Sequence, residues 1–212
     1  MSLKITEIFH SIQGESANVG FPTVFVRLTG CPMRCTYCDT AYAFHGGERL
    51  ELDAIVSSVT AHHAKYVCVT GGEPLAQPDC WPLMTRLCDL GLRVSLETGG
   101  AISIAKVDPR VHIVLDVKTP DSGEEPKNTY ANFDLIEPKD SLKFVICSRN
   151  DYEWARNKVR SERLNERCEI LFSPSSEQLD PTALAEWILE DRMPVRFQVQ
   201  LHKILWQDAQ GK

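Results

Sequence analysis

Cys31, Cys35 and Cys38 stand in a CxxxCxxC spacing within Cys31-Pro-Met-Arg-Cys35-Thr-Tyr-Cys38. Three thiolates on one short loop can hold three irons of a 4Fe–4S cube and leave the fourth iron open to another ligand. Thiolates are the soft donors that such clusters require. Two other readings use the same residues. A structural zinc closes its shell with four ligands, and His45 could supply the fourth. The three could also be core cysteines grouped by chance. Three ligands alone leave zinc unsatisfied, which favours the cluster. The other five, Cys68, Cys80, Cys88, Cys147 and Cys168, lie apart in apolar surroundings and read as small buried hydrophobes.

A second candidate is Gly71-Gly72-Glu73-Pro74. Two glycines let the backbone come close to a ligand and adopt positive φ, and carbonyls there could accept hydrogen bonds from an ammonium group. Taken alone, the segment reads as an ordinary strand-to-helix turn.

These groups need elements to hold them. Residues 24–28 form a β-rich run ending at Thr29-Gly30, and residues 66–70 a nearly continuous apolar run ending at Gly71-Gly72. Residues 94–98, 113–118, 142–147, 169–172 and 195–201 read as further strands. Helices are expected over residues 55–63, with Asp53 as N-cap, and over residues 79–90, with Gly91 just beyond the end. Asn150 and Glu153 resemble a capping box, and Asp180-Pro181 an N-cap followed by Pro at N1. Alternating β and α favours a parallel sheet covered by helices, either open and doubly wound or a full or partial barrel. In both, ligands gather at the C-terminal strand ends. Gly30-Cys31, Gly71-Gly72, Glu97-Thr98 and Ser173-Pro174 all sit at such ends.

With aromatic Tyr37 just before the last cysteine, the triad resembles the signature of radical S-adenosylmethionine enzymes, and Gly71-Gly72-Glu73-Pro74 resembles their GGE motif. That resemblance implies that the open iron binds the amino and carboxylate groups of S-adenosylmethionine. One electron from the cluster would then release a 5′-deoxyadenosyl radical that abstracts hydrogen from substrate. Most of the chain resembles the 7-carboxy-7-deazaguanine synthase family of the queuosine pathway. The residues that carry this are Glu7-Ile8-Phe9, Ser11-Ile12-Gln13-Gly14-Glu15, the run from Phe21 to Cys31, Cys38-Asp39-Thr40, Val69 to Pro74, Leu96-Glu97-Thr98 and Gln200-Leu201-His202-Lys203.

The resemblance implies conversion of 6-carboxy-5,6,7,8-tetrahydropterin to 7-carboxy-7-deazaguanine with loss of ammonia. It also implies regeneration of S-adenosylmethionine, a need for Mg²⁺, and a homodimer; an electron donor is required, for which a flavodoxin is one candidate. Carried onto this chain, Ile12, Gln13, Gly14, Arg27 and Thr70 would contact substrate. Cys31, Cys35 and Cys38 would hold the cluster, and Thr40 would ligate Mg²⁺. Tyr37, Cys38, Asp39, Gly72, Asp116-Val117-Lys118 and Ser173-Pro174-Ser175-Ser176 would line the S-adenosylmethionine side. The chemistry of several residues suits these roles. Arg27 offers a bidentate fork for a carboxylate, and Gln13 a donor and an acceptor for a pterin edge. His202 could reach the site from the last strand, and the tail at 207–212 has no assigned role.

The expected fold is α/β, a single domain over residues 1–212, built as an abbreviated parallel β/α barrel of about six strands. Lys and Arg number 23 against 29 Asp and Glu, a net charge of −6. Such a balance gives no whole-surface attraction for nucleic acid or an anionic membrane. No apolar run approaches the roughly 20 residues of a membrane span, and no signal-peptide pattern opens the chain, so a cytoplasmic enzyme is expected. A glycyl-radical-enzyme activase and a zinc-binding module or simple iron–sulfur carrier are the rival readings.

Overall fold

β-Branched runs buried on both sides favour parallel pairing. The computed structural model describes residues 1–176, 178–207 and 209–211 and joins such runs into one sheet. In chain order its strands are β1 (Ser2–Ile12), β2 (Pro22–Leu28), β3 (Glu48–Glu51), β4 (Tyr66–Gly71), β5 (Arg93–Thr98), β6 (His112–Asp116), β7 (Ser141–Ile146), β8 (Glu169–Pro174) and β9 (Arg196–Phe197). The helices are α1 (Leu52–Ala61), α2 (Cys80–Asp89), α3 (Arg149–Ser161), α4 (Pro181–Glu190) and α5 (Leu201–Trp206).

Across the sheet the order is β3-β1-β2-β4-β5-β6-β7-β8-β9. The strands from β2 through β4 to β9 run parallel, while β1 is antiparallel to both β2 and β3. The edges β3 and β9 do not pair, so the sheet stays open as a partial barrel. The parallel strands are the seven runs read from the sequence, against a barrel of about six, and the antiparallel edge is an addition. The edge strand β3 is Glu-Arg-Leu-Glu, too charged to register as a strand by apolar pattern.

Strand side chains alternate between faces, and here the two faces differ sharply. Val24, Val26 and Leu28 of β2, Val67 and Val69 of β4, Leu96 of β5, Leu142 and Phe144 of β7, and Phe172 of β8 enter the helix-covered core. Each fully buried side chain of this kind contributes about 1.5–3 kcal/mol. Leu83, Met84 and Leu87 of α2 and Tyr152 and Val159 of α3 complete that layer, and Trp154 and Trp187 pack against it.

Local signals had mixed outcomes. Asp180 caps α4 by accepting from the Thr182 amide, as expected, and Asp79 and Gly91 flank α2. Asp53 does not cap α1: Glu51 holds that position, and Asp53 lies in the first turn, paired with Arg86. Asn150 forms no capping box, because the N-cap lies two residues earlier, at Ser148, whose Oγ accepts from the Asp151 amide. Glu153 pairs with Arg149 instead. The expected strand over 195–201 shrinks to two residues, and Leu201 to Trp206 is helical. Gln198 explains the break. Its amide exchanges two hydrogen bonds with the Ser16 backbone, at 2.9 and 2.8 Å, and draws the chain off the sheet edge. Among the described residues no helix is long and apolar enough to cross a membrane.

Candidate active site

The sheet's other face carries a row of polar side chains among apolar ones such as Phe9, Phe25, Val114 and Val145. Strand register places Glu7 beside Arg27, Arg27 beside Thr70, and Asp116 beside Lys143. With Glu97 and Ser173 they form a row across β1, β2, β4, β5, β6, β7 and β8. Apart from Glu7, which stands behind Arg27, the row floors a cavity of about 560 Å³ that opens at the C-terminal strand ends. This is the size range of a small-molecule site, and few polar groups line most such pockets. Here they dominate.

The triad sits at the mouth. Cys31, Cys35 and Cys38 all line the cavity and are free and partly exposed. Burial pushes each thiol up, and the Lys118 ammonium pulls against that shift at all three. Ligation to metal would displace the proton. Among the described residues no three His, Cys, Asp or Glu side chains gather at one point as a single metal ion demands. A cube asks for something else, one thiolate per iron. His45, the candidate fourth zinc ligand, does not line the cavity. The donor set therefore fits an iron–sulfur cluster and does not fit structural zinc.

The glycine turn packs directly on the cysteine loop. A Cβ at Gly72 would stand 2.0 Å from Gly30 O and 2.9 Å from Cys31 Cβ. Gly71 has φ +135°, a conformation side chains resist. Glu73 is fully buried behind the turn. It accepts from the Leu75 amide at 3.0 Å, the Gly99 amide at 2.8 Å and Thr98 Oγ1 at 2.9 Å, which ties the turn to the end of β5. Around the cavity, Asp116 Oδ1, Ser173 Oγ and Tyr37 OH are buried without a partner. Unspent polar capacity of this kind fits a ligand as polar as S-adenosylmethionine.

The opposite wall is a charge network. Gln13 Nε2 donates to Glu97 Oε1 at 3.4 Å, and Thr70 Oγ1 donates to Glu97 Oε2 at 3.1 Å. Burial and the nearby Glu15 carboxylate raise the pKa of Glu97. Lys143 pairs with Glu15. Burial pushes the pKa of this lysine down, but Glu15, Asp116 and Glu97 outweigh it and keep the ammonium charged. Lys118 Nζ donates to Asp116 Oδ2 at 2.7 Å and lies 5.5 Å from the Tyr37 ring centroid. Arg27 Nε donates to Glu7 Oε1 at 2.7 Å.

The cavity gathers Ile12, Gln13, Gly14, Arg27, Tyr37, Asp39, Thr40, Thr70, Gly72, Asp116, Lys118 and Ser173 to Ser176. Val117 is the exception. Strand parity turns it away from Asp116 and Lys118, and its side chain is fully buried in the core. His202 does reach the cavity, but from α5 rather than from a strand. Gly14 makes room for it, since a Cβ there would meet His202 Nδ1 at 2.1 Å. Lys143 was not anticipated, although a lysine inside Ser-Leu-Lys-Phe-Val-Ile is a charge at a buried strand position and so a legible signal. Glu7, Glu15 and Glu97 gained roles beyond motif matches. Gln207, Ala209, Gln210 and Gly211 of the unassigned tail also line the cavity; Asp208 and Lys212 lie outside the described residues.

Comparisons with known proteins agree with this geometry. Residues 25–122 match the model of the Radical SAM superfamily. A 7-carboxy-7-deazaguanine synthase of Chlorobaculum tepidum is 48% identical over 213 residues, covering 99% of this chain and 97% of that protein. One from Koribacter versatilis is 41% identical, covering 96% and 97%. The crystal structure of QueE from Escherichia coli superposes with a TM-score of 0.78 at 22% identity, covering 95% of both chains, and so shares the fold. Cysteine triad, glycine turn and full-length similarity converge: the chain belongs to the 7-carboxy-7-deazaguanine synthase family of radical S-adenosylmethionine enzymes.

Proposed function

We propose that residues 1–212 act as one domain that converts 6-carboxy-5,6,7,8-tetrahydropterin to 7-carboxy-7-deazaguanine, a carbon–nitrogen lyase reaction releasing ammonia. The observation that carries this reading is one shared cavity, with the cysteine triad and glycine turn on one side and Gln13, Arg27, Thr70 and Glu97 on the other. When bound, the 4Fe–4S cluster and S-adenosylmethionine supply the 5′-deoxyadenosyl radical. The chain's own residues bind, orient and shield. Arg27 holds the substrate carboxylate. Gln13, Thr70 and the backbone at Ile12 and Gly14 read the pterin edge. Lys143 and Glu97 keep exchangeable protons inside the cavity for the departing amine. Tyr37, Cys38, Asp39, Gly72, Asp116, Lys118 and Ser173 to Ser176 face S-adenosylmethionine, and Val117 contributes backbone alone.

Thr40 is the proposed Mg²⁺ ligand. Its hydroxyl already donates to Asp39 Oδ1 at 2.8 Å, which leaves oxygen lone pairs for a metal. A neutral hydroxyl serves Mg²⁺ when substrate oxygens and waters complete the octahedron. Chelation is expected to slow turnover while the cluster's visible absorption persists; turnover indifferent to Mg²⁺ would remove Thr40 from the site. The working unit is a cytoplasmic homodimer reduced by a small carrier such as a flavodoxin.

The direct test is an anaerobic assay of reconstituted protein with the carboxytetrahydropterin, S-adenosylmethionine and dithionite. Product by mass spectrometry is the expected result, and deoxyadenosine without the deazaguanine would point to another substrate. Gly72→Ala adds a second check. Backbone atoms of Gly30 cannot yield to the new methyl, so S-adenosylmethionine affinity is expected to fall by more than about tenfold. Titration calorimetry on the loaded protein reads this, and wild-type affinity would place the ligand elsewhere.

A further inference from the structure

The cysteine loop has no helix or strand of its own, yet it must hold three thiolates in fixed relation. An irregular loop normally pays about 1–2 kcal/mol of ordering entropy per residue. Four hydrogen bonds tie residues 32–36 of this loop to residues 121–127, the irregular segment after β6. The Arg34 amide donates to Glu124 Oε1 at 2.8 Å. The Thr36 amide donates to Ser122 O at 3.0 Å, and Thr36 Oγ1 donates to Asp121 O at 2.8 Å. Lys127 Nζ donates to Pro32 O at 2.7 Å. Glu124 joins these contacts, because its second oxygen pairs with Lys127 Nζ at 2.7 Å.

The segment is itself anchored. Asp151, fully buried at the start of α3, accepts from Thr119 Oγ1 and from the Asp121 amide, each at 2.9 Å. Ser122 Oγ donates to Thr119 O and accepts from the Glu124 amide at 3.0 Å. Within the loop, the Arg34 guanidinium donates to Cys31 O at 2.8 Å and Met33 O at 2.6 Å and stacks 4.2 Å from the centre of the Phe44 ring. Three successive carbonyls, those of Cys31, Pro32 and Met33, are thus held by two cations, and the backbone between the first two cysteines has little freedom left.

We propose that Glu124, acting with Lys127, is a positioning residue that clasps the cysteine loop in its ligating shape before any iron arrives. This rests on the reading of Cys31, Cys35 and Cys38 as cluster ligands. Outer contacts that orient metal ligands are commonly worth ~10–100-fold in metal affinity, and a clasp should act chiefly on loading.

The test compares wild type with Glu124→Ala, Glu124→Gln and Lys127→Met. In apo-protein, amide hydrogen exchange at Arg34 is expected to speed up at least about tenfold in Glu124→Ala and to return toward wild type in Glu124→Gln, which keeps the acceptor. Anaerobic reconstitution should load iron and sulfide more slowly in Glu124→Ala, with the same rescue. Wild-type exchange and wild-type loading in Glu124→Ala would overturn the proposal, as would a loading defect that glutamine does not rescue. Should Glu124→Ala fail to fold, Lys127→Met decides. Its side chain is half-exposed, so slower loading at unchanged melting temperature supports the clasp and a wild-type rate overturns it. The exchange readout needs no cluster, so failure of the clasp is separable from failure of the cofactor reading.

Discussion

Cys35→Ala is expected to abolish deoxyadenosine formation and to leave a protein that retains little iron. Each thiolate closes one corner of the cube, and a missing corner exposes iron to loss. Alanine cannot be compensated locally, because the five cysteines outside the triad are buried and none of them lines the cavity. Cys80→Ala is the matched control. Cys80 is fully buried in the α2 layer, and removing its sulfur should cost on the order of 1 kcal/mol of stability through a small cavity. Iron content, visible absorption and deoxyadenosine yield should match wild type in Cys80→Ala. Activity in Cys35→Ala, or an equal loss in both variants, would undo the cluster assignment.

Arg27→Lys is expected to weaken binding of the carboxylated pterin by about 2–5 kcal/mol, the range for unpairing a buried charge. Iron content and S-adenosylmethionine affinity should stay near wild type. The geometry sharpens the expectation. Arg27 spends Nε on Glu7, which is also held by the Tyr42 hydroxyl at 2.8 Å, and its guanidinium lies 5.7 Å from the Phe9 ring centroid. Among the described residues its terminal nitrogens make no hydrogen bond, so they can meet both oxygens of a carboxylate. Lysine carries one nitrogen for both tasks and must abandon Glu7 or the substrate. Calorimetry with each ligand separately distinguishes the two arms. Unchanged pterin affinity would make the Arg27–Glu7 pair structural.

Local spacing was enough for the chemistry that lives on one loop. Three cysteines within eight residues pointed to a cluster through their spacing, and Gly71-Gly72 to a place where the backbone can come close to a ligand. Caps whose partner lies two residues away, such as Asp180, were equally legible. Alternating strands and helices led to a parallel sheet covered by helices, because apolar runs of strand length record burial on both faces; whether that sheet was open or closed they left undecided. The row Glu7, Arg27, Thr70, Glu97, Asp116, Lys143 and Ser173 was not legible as a row, since its members come from seven strands. Which face each meets depends on pairing register, and a shift of one residue would turn a side chain from cavity to core, as Val117 shows beside Asp116. The Lys143–Glu15 pair spans 128 residues, and the Gln198–Ser16 exchange that ends the last strand spans 182. Such contacts have no local signature, because their free energy is realised only when the strands have assembled and brought the partners together. Tertiary structure therefore decided the charge network, the helix that brings His202 to the cavity, and the hydrogen bonds that hold the cysteine loop, while residue spacing pointed to a cluster and the resemblance of the motifs to the chemistry it serves.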